Sequence, residues 1–211
     1  MILRSENRFS TSALVIAALL LASPVYASLD LSLHRSPDAL SGFIDVNYNS
    51  TTDLFSAIGF AFELNDDGIS VPKSIIGGAF GLNANINGSG VLGSGSIALG
   101  GTVPSLGFLS GTLLTGTLID FGFPSTGDPL EFLFSVTGGD AAGLFGPGPI
   151  GVILSGSGFE GNFTSSFDNR IGGFPGSAFA DVAPVVPLPG SLLLALAGIG
   201  ASSIFRPRAK A

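Results

Sequence analysis

Catalysis has few side chains to draw on in this chain: it has one histidine, His34, no cysteine and no tryptophan. A Ser-His-Asp hydrolase would need His34 as its base, and no Gly-x-Ser-x-Gly elbow marks a nucleophile for it. His34 sits in the polar stretch Leu33-His34-Arg35-Ser36-Pro37-Asp38, which reads as an exposed loop or the start of a first strand. Carboxylates are more plentiful, and a pair of them flanking a sugar could hydrolyse a glycosidic bond. Position singles out no such pair, so no catalytic residue and no cofactor is assigned.

Two further groupings carry weaker chemistry. Glu63, Asn65, Asp66 and Asp67, with Asp168 and Asn169 as a second acidic tip, offer oxygens of the kind calcium takes, six to eight at a time. Their spacing matches no EF-hand or nonapeptide repeat, so the plain reading is a hairpin turn and no metal ligand is assigned. Asn49, Asn87 and Asn162 head Asn-x-Ser/Thr sequons. The one at Asn162 is preceded by Glu160, a form similar to that favoured by bacterial oligosaccharyl transferases, although Asn, Ser and Thr are common enough here for chance to supply it.

The elements that must hold these residues read as strands. Short apolar stretches rich in Phe, Ile, Val and Leu recur between Gly, Asn, Asp and Pro turns, and long helical periodicity is absent. Expected strands cover 42–48, 53–64, 74–87, 90–99, 106–123, 130–137, 148–156 and 158–167. Phe80, Leu82, Ala84 and Ile86 alternate with Gly81, Asn83, Asn85 and Asn87, which places one apolar and one polar face on that strand. In 109–121 the odd positions Leu113, Ile119 and Phe121 are expected to share a face with Thr115 and Thr117. Asn65-Asp66-Asp67-Gly68 and Ser125-Thr126-Gly127-Asp128-Pro129 supply turns, and Gly139–Gly146 reads as a single helical turn. The fold expected is all-β, an antiparallel β-sandwich or jelly-roll-like domain, with an open barrel next. A Gly-rich solenoid ranks third, because the Gly-Ser-Gly units at Gly88, Gly93 and Gly156 keep no fixed period.

Charge narrows the partners. Of eight basic residues in the 211-residue chain, five lie at the ends: Arg4, Arg8, Arg206, Arg208 and Lys210. The body keeps Arg35, Lys73 and Arg170 against fourteen acidic residues, a net charge of −11. Affinity for phosphate backbones comes from clustered Lys and Arg, so nucleic acid is excluded as a partner.

The ends carry addresses. Arg4 and Arg8 precede an uncharged apolar run, Ala13–Ala22, then Pro24 and the small-residue site Val25-Tyr26-Ala27. That is the layout of a secretory signal peptide, which implicates the translocon and signal peptidase as partners and places the cut after Ala27. Its apolar run is too short to cross a bilayer core of about 30 Å as a permanent anchor. At the other end Pro184–Pro189 (PVVPLP) forms a stiff spacer. Gly190–Phe205 follows as an apolar run about 24 Å long if helical, a marginal membrane span, and Arg206, Arg208 and Lys210 form a basic stop on the cytoplasmic side. The expected organisation is a signal peptide over 1–27, a Gly-rich β domain over 28–183, and spacer, transmembrane helix and basic tail over 184–211.

This spacer, helix and basic stop resemble the PEP-CTERM sorting signals of Gram-negative envelopes, and Val186-Pro187-Leu188-Pro189 is similar to their VPLPA variant. Leu188 stands where the archetype has Glu, and Gly190 where the variant has Ala. The resemblance covers about the last 26 residues and implies an exosortase-type membrane protease that cuts near the proline motif, after transient anchoring in the inner membrane. It also implies a cell-envelope or extracellular destination and an association with exopolysaccharide or biofilm matrix. The expected processing residues are therefore Ala27, Val186, Pro187, Leu188, Pro189, Gly190, Arg206, Arg208 and Lys210. The body is expected to be a non-enzymatic structural or interaction domain. A carbohydrate-binding module stands second, needing exposed phenylalanines as a sugar platform, and a glycoside hydrolase third, needing carboxylates clustered in a cleft.

Overall fold

The computed structural model describes residues 28–170 and 175–186. The expected signal helix and transmembrane helix lie outside the described residues, and among those described no helix is long and apolar enough to cross a membrane.

Ten strands form in sequence order: β1 Asp38–Asn49, β2 Leu54–Asn65, β3 Lys73–Ser74, β4 Ile76–Ile86, β5 Leu92–Thr102, β6 Thr112–Gly122, β7 Leu130–Gly138, β8 Ile150–Ser155, β9 Phe167–Asp168 and β10 Ala178–Pro184. The segment expected to make a single helical turn does so as α1, Ala142–Phe145, and a 3-10 turn spans Pro104–Leu106. All strand pairings are antiparallel.

The strand order is β1-β2-β4-β5-β6-β7-β8-β10, and β10 returns to pair with β1. The sheet therefore closes into an eight-stranded barrel, which corrects the expected sandwich or jelly roll. Closure removes the free edges that a sandwich must protect. It depends on Ala39–Ile44 of β1 meeting Ala178–Val182 of β10, more than 130 residues apart in sequence, a pairing that no local pattern announces.

Eight strands enclose an interior that side chains can fill. Here Ile44, Val46 and Tyr48 of β1, Phe55 of β2, Phe80 and Leu82 of β4, Phe132 and Phe134 of β7, and Val152 and Leu154 of β8 are all fully buried. Small residues interleave with them. A Cβ on Gly116 would lie 3.0 Å from Ile97 and 3.1 Å from the Cβ of Phe134, so β5 and β7 approach closely where β6 offers no side chain. One end is plugged by the segment between β8 and β9. There Phe159 and Phe163 pack on each other with ring centroids 4.7 Å apart, and Phe163 meets Tyr48 edge-on at 4.9 Å. This corrects the strand expected over 158–167: only Phe167–Asp168 pairs, and the rest is irregular chain whose phenylalanines fill the barrel mouth.

The alternation in β4 is as read, with Phe80, Leu82, Ala84 and Ile86 buried and Gly81, Asn83 and Asn85 facing out. In β6 the face is the other one. Leu114, Gly116 and Leu118 point inward, Ile119 is exposed, and Leu113 is buried beneath the turn at Gly139–Ala141, whose Ala141 N–H donates to its carbonyl at 2.9 Å. A register shift between Leu118 and Asp120 then turns Phe121 back onto the core. A bulge inside a strand breaks the two-residue period, which is why the odd positions misled.

Candidate functional site

Phe43 carries the clearest departure from unstrained structure. Its φ is 51°, a left-handed conformation that a bulky residue adopts at a cost of about 1–2 kcal/mol. The cause is a bulge: the register of β1 shifts between Gly42 and Asp45 against β2, and between Ser41 and Ile44 against β10. Both neighbours see the same extra residues. The bulge aims the Phe43 ring outward, where it is 64 % exposed.

Around it the outer face of the barrel is aromatic. Gly42 pairs with Phe60 of β2, which is 61 % exposed, and Phe179 of β10 is 54 % exposed on the other side. The rings of Phe62 and Phe179 lie within 3 Å of the point where a Cβ on Gly42 would sit, so both lean over bare backbone. A shallow groove of about 420 Å³ follows, lined by Leu40, Phe62, Ile153, Phe179 and Asp181. Ile58 continues the apolar face along β2.

Beside this patch the barrel wall is polar and uncharged. Ser56, Asn83, Ser96, Thr117 and Ser135 stand directly opposite one another across β2, β4, β5, β6 and β7. Strands lie about 4.8 Å apart, so the row spans about 19 Å of hydroxyl and amide groups, and of its five members only Ser56 is partly buried.

The bulge is repaired by a side chain. Asn169, expected as part of an acidic tip, accepts from the Val46 N–H at 2.9 Å and donates to the carbonyls of Ile44 at 2.9 Å and Gly156 at 3.1 Å. It stands in for a strand where β10 has left β1. Arg170 pairs with Asp45, and together with the Gly176 N–H holds that carboxyl below the usual carboxylate range.

The segment read as a hairpin turn over 65–68 is held as a turn by its own side chains. Asn65 Oδ1 accepts from the Gly68 N–H at 2.9 Å, and Asp67 accepts from the N–H groups of Ile69 and Ser70 and from the Ser70 hydroxyl. Those bonds lower the Asp67 carboxyl to about 2. Asp66 faces Lys73 at 3.9 Å. Among the described residues no three His, Asp or Glu side chains are placed to hold a metal ion together. The three sequon asparagines also serve turns: Asn49, Asn87 and Asn162 each accept from the N–H two residues on, Thr51, Ser89 and Thr164 respectively.

His34 is exposed, as read, and its N–H donates to the Pro184 carbonyl at 2.9 Å. It borders a groove with Arg35, Asp38, Asn65 and Asp181. Here the structure brings together two carboxylates that the sequence did not single out. Burial pushes the carboxyls of Asp38 and Asp181 up, and a nearby carboxylate adds to each, Glu63 for Asp38 and Asp38 for Asp181. One oxygen of each has no hydrogen-bond partner among the described residues.

Of the expected processing residues, Val186 is described; its N–H donates to the Ser32 carbonyl at 2.8 Å. Ala27, Pro187, Leu188, Pro189, Gly190, Arg206, Arg208 and Lys210 lie outside the described residues. The barrel thus brings the first and last described segments side by side: Leu33 bridges Val185, and sheet pairing continues through Pro184 into the expected spacer. Searched against protein-family models, curated proteins and solved structures, the chain matches none.

Proposed function

We propose that this protein is exported, sorted by its C-terminal signal to the cell envelope or medium, and acts there as a non-enzymatic interaction domain. The observation that supports an interaction role is Phe43. The strained backbone delivers a large apolar ring into water, and backbone strain and exposed apolar patches both cluster at functional surfaces. Phe60, Phe62 and Phe179 extend that ring into a patch, and the polar wall beside it supplies hydrogen-bonding groups. The signal peptide layout and the VPLPA-like tail support the route: translocon, signal peptidase, transient anchoring by 190–205, and release or transfer by an exosortase-type protease.

The second reading is a carbohydrate-binding module, and a specific observation favours it. Exposed rings beside a row of Ser, Asn and Thr suit a neutral polysaccharide, whose sugar faces stack and whose hydroxyls hydrogen-bond. The body's net charge of −11 disfavours polyanionic polymers. Co-sedimentation with exopolysaccharide from producing cells, alongside a glycan array, tests both readings. Saturable sugar binding lost in Phe43→Ala and Phe60→Ser supports the module. Retention in the matrix lost in the same variants without sugar binding supports a protein partner. Full retention of both variants in the matrix contradicts the role given to this face.

A further inference from the structure

Glu131 lies on β7 between the inward-facing Leu130 and Phe132, so it points to the outside of the barrel, yet it is only 5 % exposed. Its cover is the segment Ser28–Leu33, which crosses β7 and β8 on the outer surface. Leu31 and Leu33 lie flat there because β8 offers Gly151 beneath them; a Cβ at that position would meet Leu33 at 2.5 Å and Leu31 at 3.1 Å. Asp30, with φ of 50°, turns the chain onto the carboxylate. The carboxylate accepts from the Ser28 hydroxyl at 2.6 Å and from the N–H groups of Asp30 at 3.0 Å and Leu31 at 3.1 Å.

A covered carboxylate ordinarily has a cation beside it, because removing an unpaired charge from water is costly. Among the described residues none pairs with Glu131: Lys73 faces Asp66, Arg170 pairs with Asp45, and Arg35 borders the groove of Asp38 and Asp181. Every partner it does have comes from the first four residues after the expected signal cut. Covalent geometry holds the Ser28 nitrogen within about 4 Å of its own hydroxyl oxygen, and hence within about 6 Å of the carboxylate.

We propose that Glu131 is a receptor site for the α-ammonium group of Ser28, created when the chain is cut after Ala27. Water adds across the Ala27–Ser28 amide, leaving a carboxylate on Ala27 and an amine on Ser28 that takes up a proton at neutral pH. The amide, with one donor and no charge, becomes an ammonium with three donors. Signal removal thereby supplies the missing cation, and the strap is latched by its own new end. The proposal rests on the export reading given above.

An opposite charge at this range favours the protonated amine, so its pKa rises above the usual range of about 7.7–8.0 for an α-amine. The contribution to stability is present below that range and is lost as pH rises through the folded value. The test uses the mature protein purified from the envelope of producing cells. Mass spectrometry identifies its first residue, and trace acetylation across pH gives the titration midpoint of the α-amine in wild type and in Glu131→Gln.

The expected result is a first residue of Ser28 and a midpoint about one unit higher in wild type than in the variant, a tenfold difference in amine basicity. Should Glu131→Gln fail to fold, wild type is compared before and after α-acetylation, which is expected to lower its melting temperature. A midpoint unmoved by Glu131→Gln, or a melt unmoved by acetylation, overturns the latch while export stands. A first residue other than Ser28 overturns the latch together with the assigned cut.

Discussion

Asn169 shows what one side chain does in this barrel. It satisfies the Val46 N–H and the Ile44 carbonyl where the bulge separates β1 from β10. Leaving such groups unpaired costs about 1–3 kcal/mol each, so Asn169→Ala is expected to destabilise the domain by about 2 kcal/mol or more, measured by urea unfolding. Asp181 is the opposite case. Burial and Asp38 raise its carboxyl, so the contribution of that group is greatest below its unfolded value near 3.8 and is lost as pH rises through the folded one. Asp181→Asn should therefore raise the melting temperature at pH 7 and leave it nearly unchanged at pH 3. The group is partly exposed and screened, so the gain is on the order of 0.5 kcal/mol, about 1–2 °C. Asp45, Asp67 and Asp140 act in the other direction: their carboxyls are lowered by hydrogen bonds, and what they contribute is lost as pH falls below 3.8 toward the folded values, about 2 for Asp67.

At the scale of elements, the mouth plug and the bulge make contrasting predictions about phenylalanine. Phe163 is 1 % exposed among Tyr48, Phe121, Phe123, Phe159 and Phe167. Its truncation to Ala is expected to cost about 3–5 kcal/mol, visible as a melting temperature roughly 10 °C lower. Phe43→Gly should do the reverse. It relieves a left-handed backbone at the expense of chain entropy, so stability is expected to stay within about 1 kcal/mol of wild type or to rise, while retention in the matrix falls. A calorimetric scan paired with co-sedimentation separates the two effects. Strands β1, β2, β4, β5, β6, β7 and β8 were legible because short apolar stretches recur between turn residues, although only β4 also showed the face it buries. The strand β10 was not: Ala178–Pro184 has three alanines, no long apolar run and a terminal proline. It earns its place only by pairing with β1 and β8. The plug was misread for the converse reason, since Phe159, Phe163 and Phe167 look like a strand but recur every four residues because they fill a cavity rather than a sheet face.

For the whole molecule, closure is what the sequence could not express. A sandwich and a barrel use the same alternating strands, and they differ in whether the last strand returns to the first. That return also assembles the candidate surface: Phe43 and Phe60 come from the first hairpin, Phe179 from the closing strand. Likewise Asp38 and Asp181 become neighbours only through β1–β10 pairing, which is why no carboxylate pair stood out by position. The same closure sets the two ends of the described barrel beside each other, with Ser32 and Val186 hydrogen-bonded. An exported domain cut after Ala27 and again near the proline motif would retain every pairing described for the barrel. Those two cuts decide where the barrel ends up. Mass spectrometry of both termini, on protein taken separately from membrane and from culture medium, tests for them most directly. The prediction is that medium protein begins at Ser28 and ends between Pro187 and Gly190, while membrane protein retains the tail. Finding the tail through Ala211 attached in every fraction would contradict sorting, and would make the barrel a permanently anchored envelope domain.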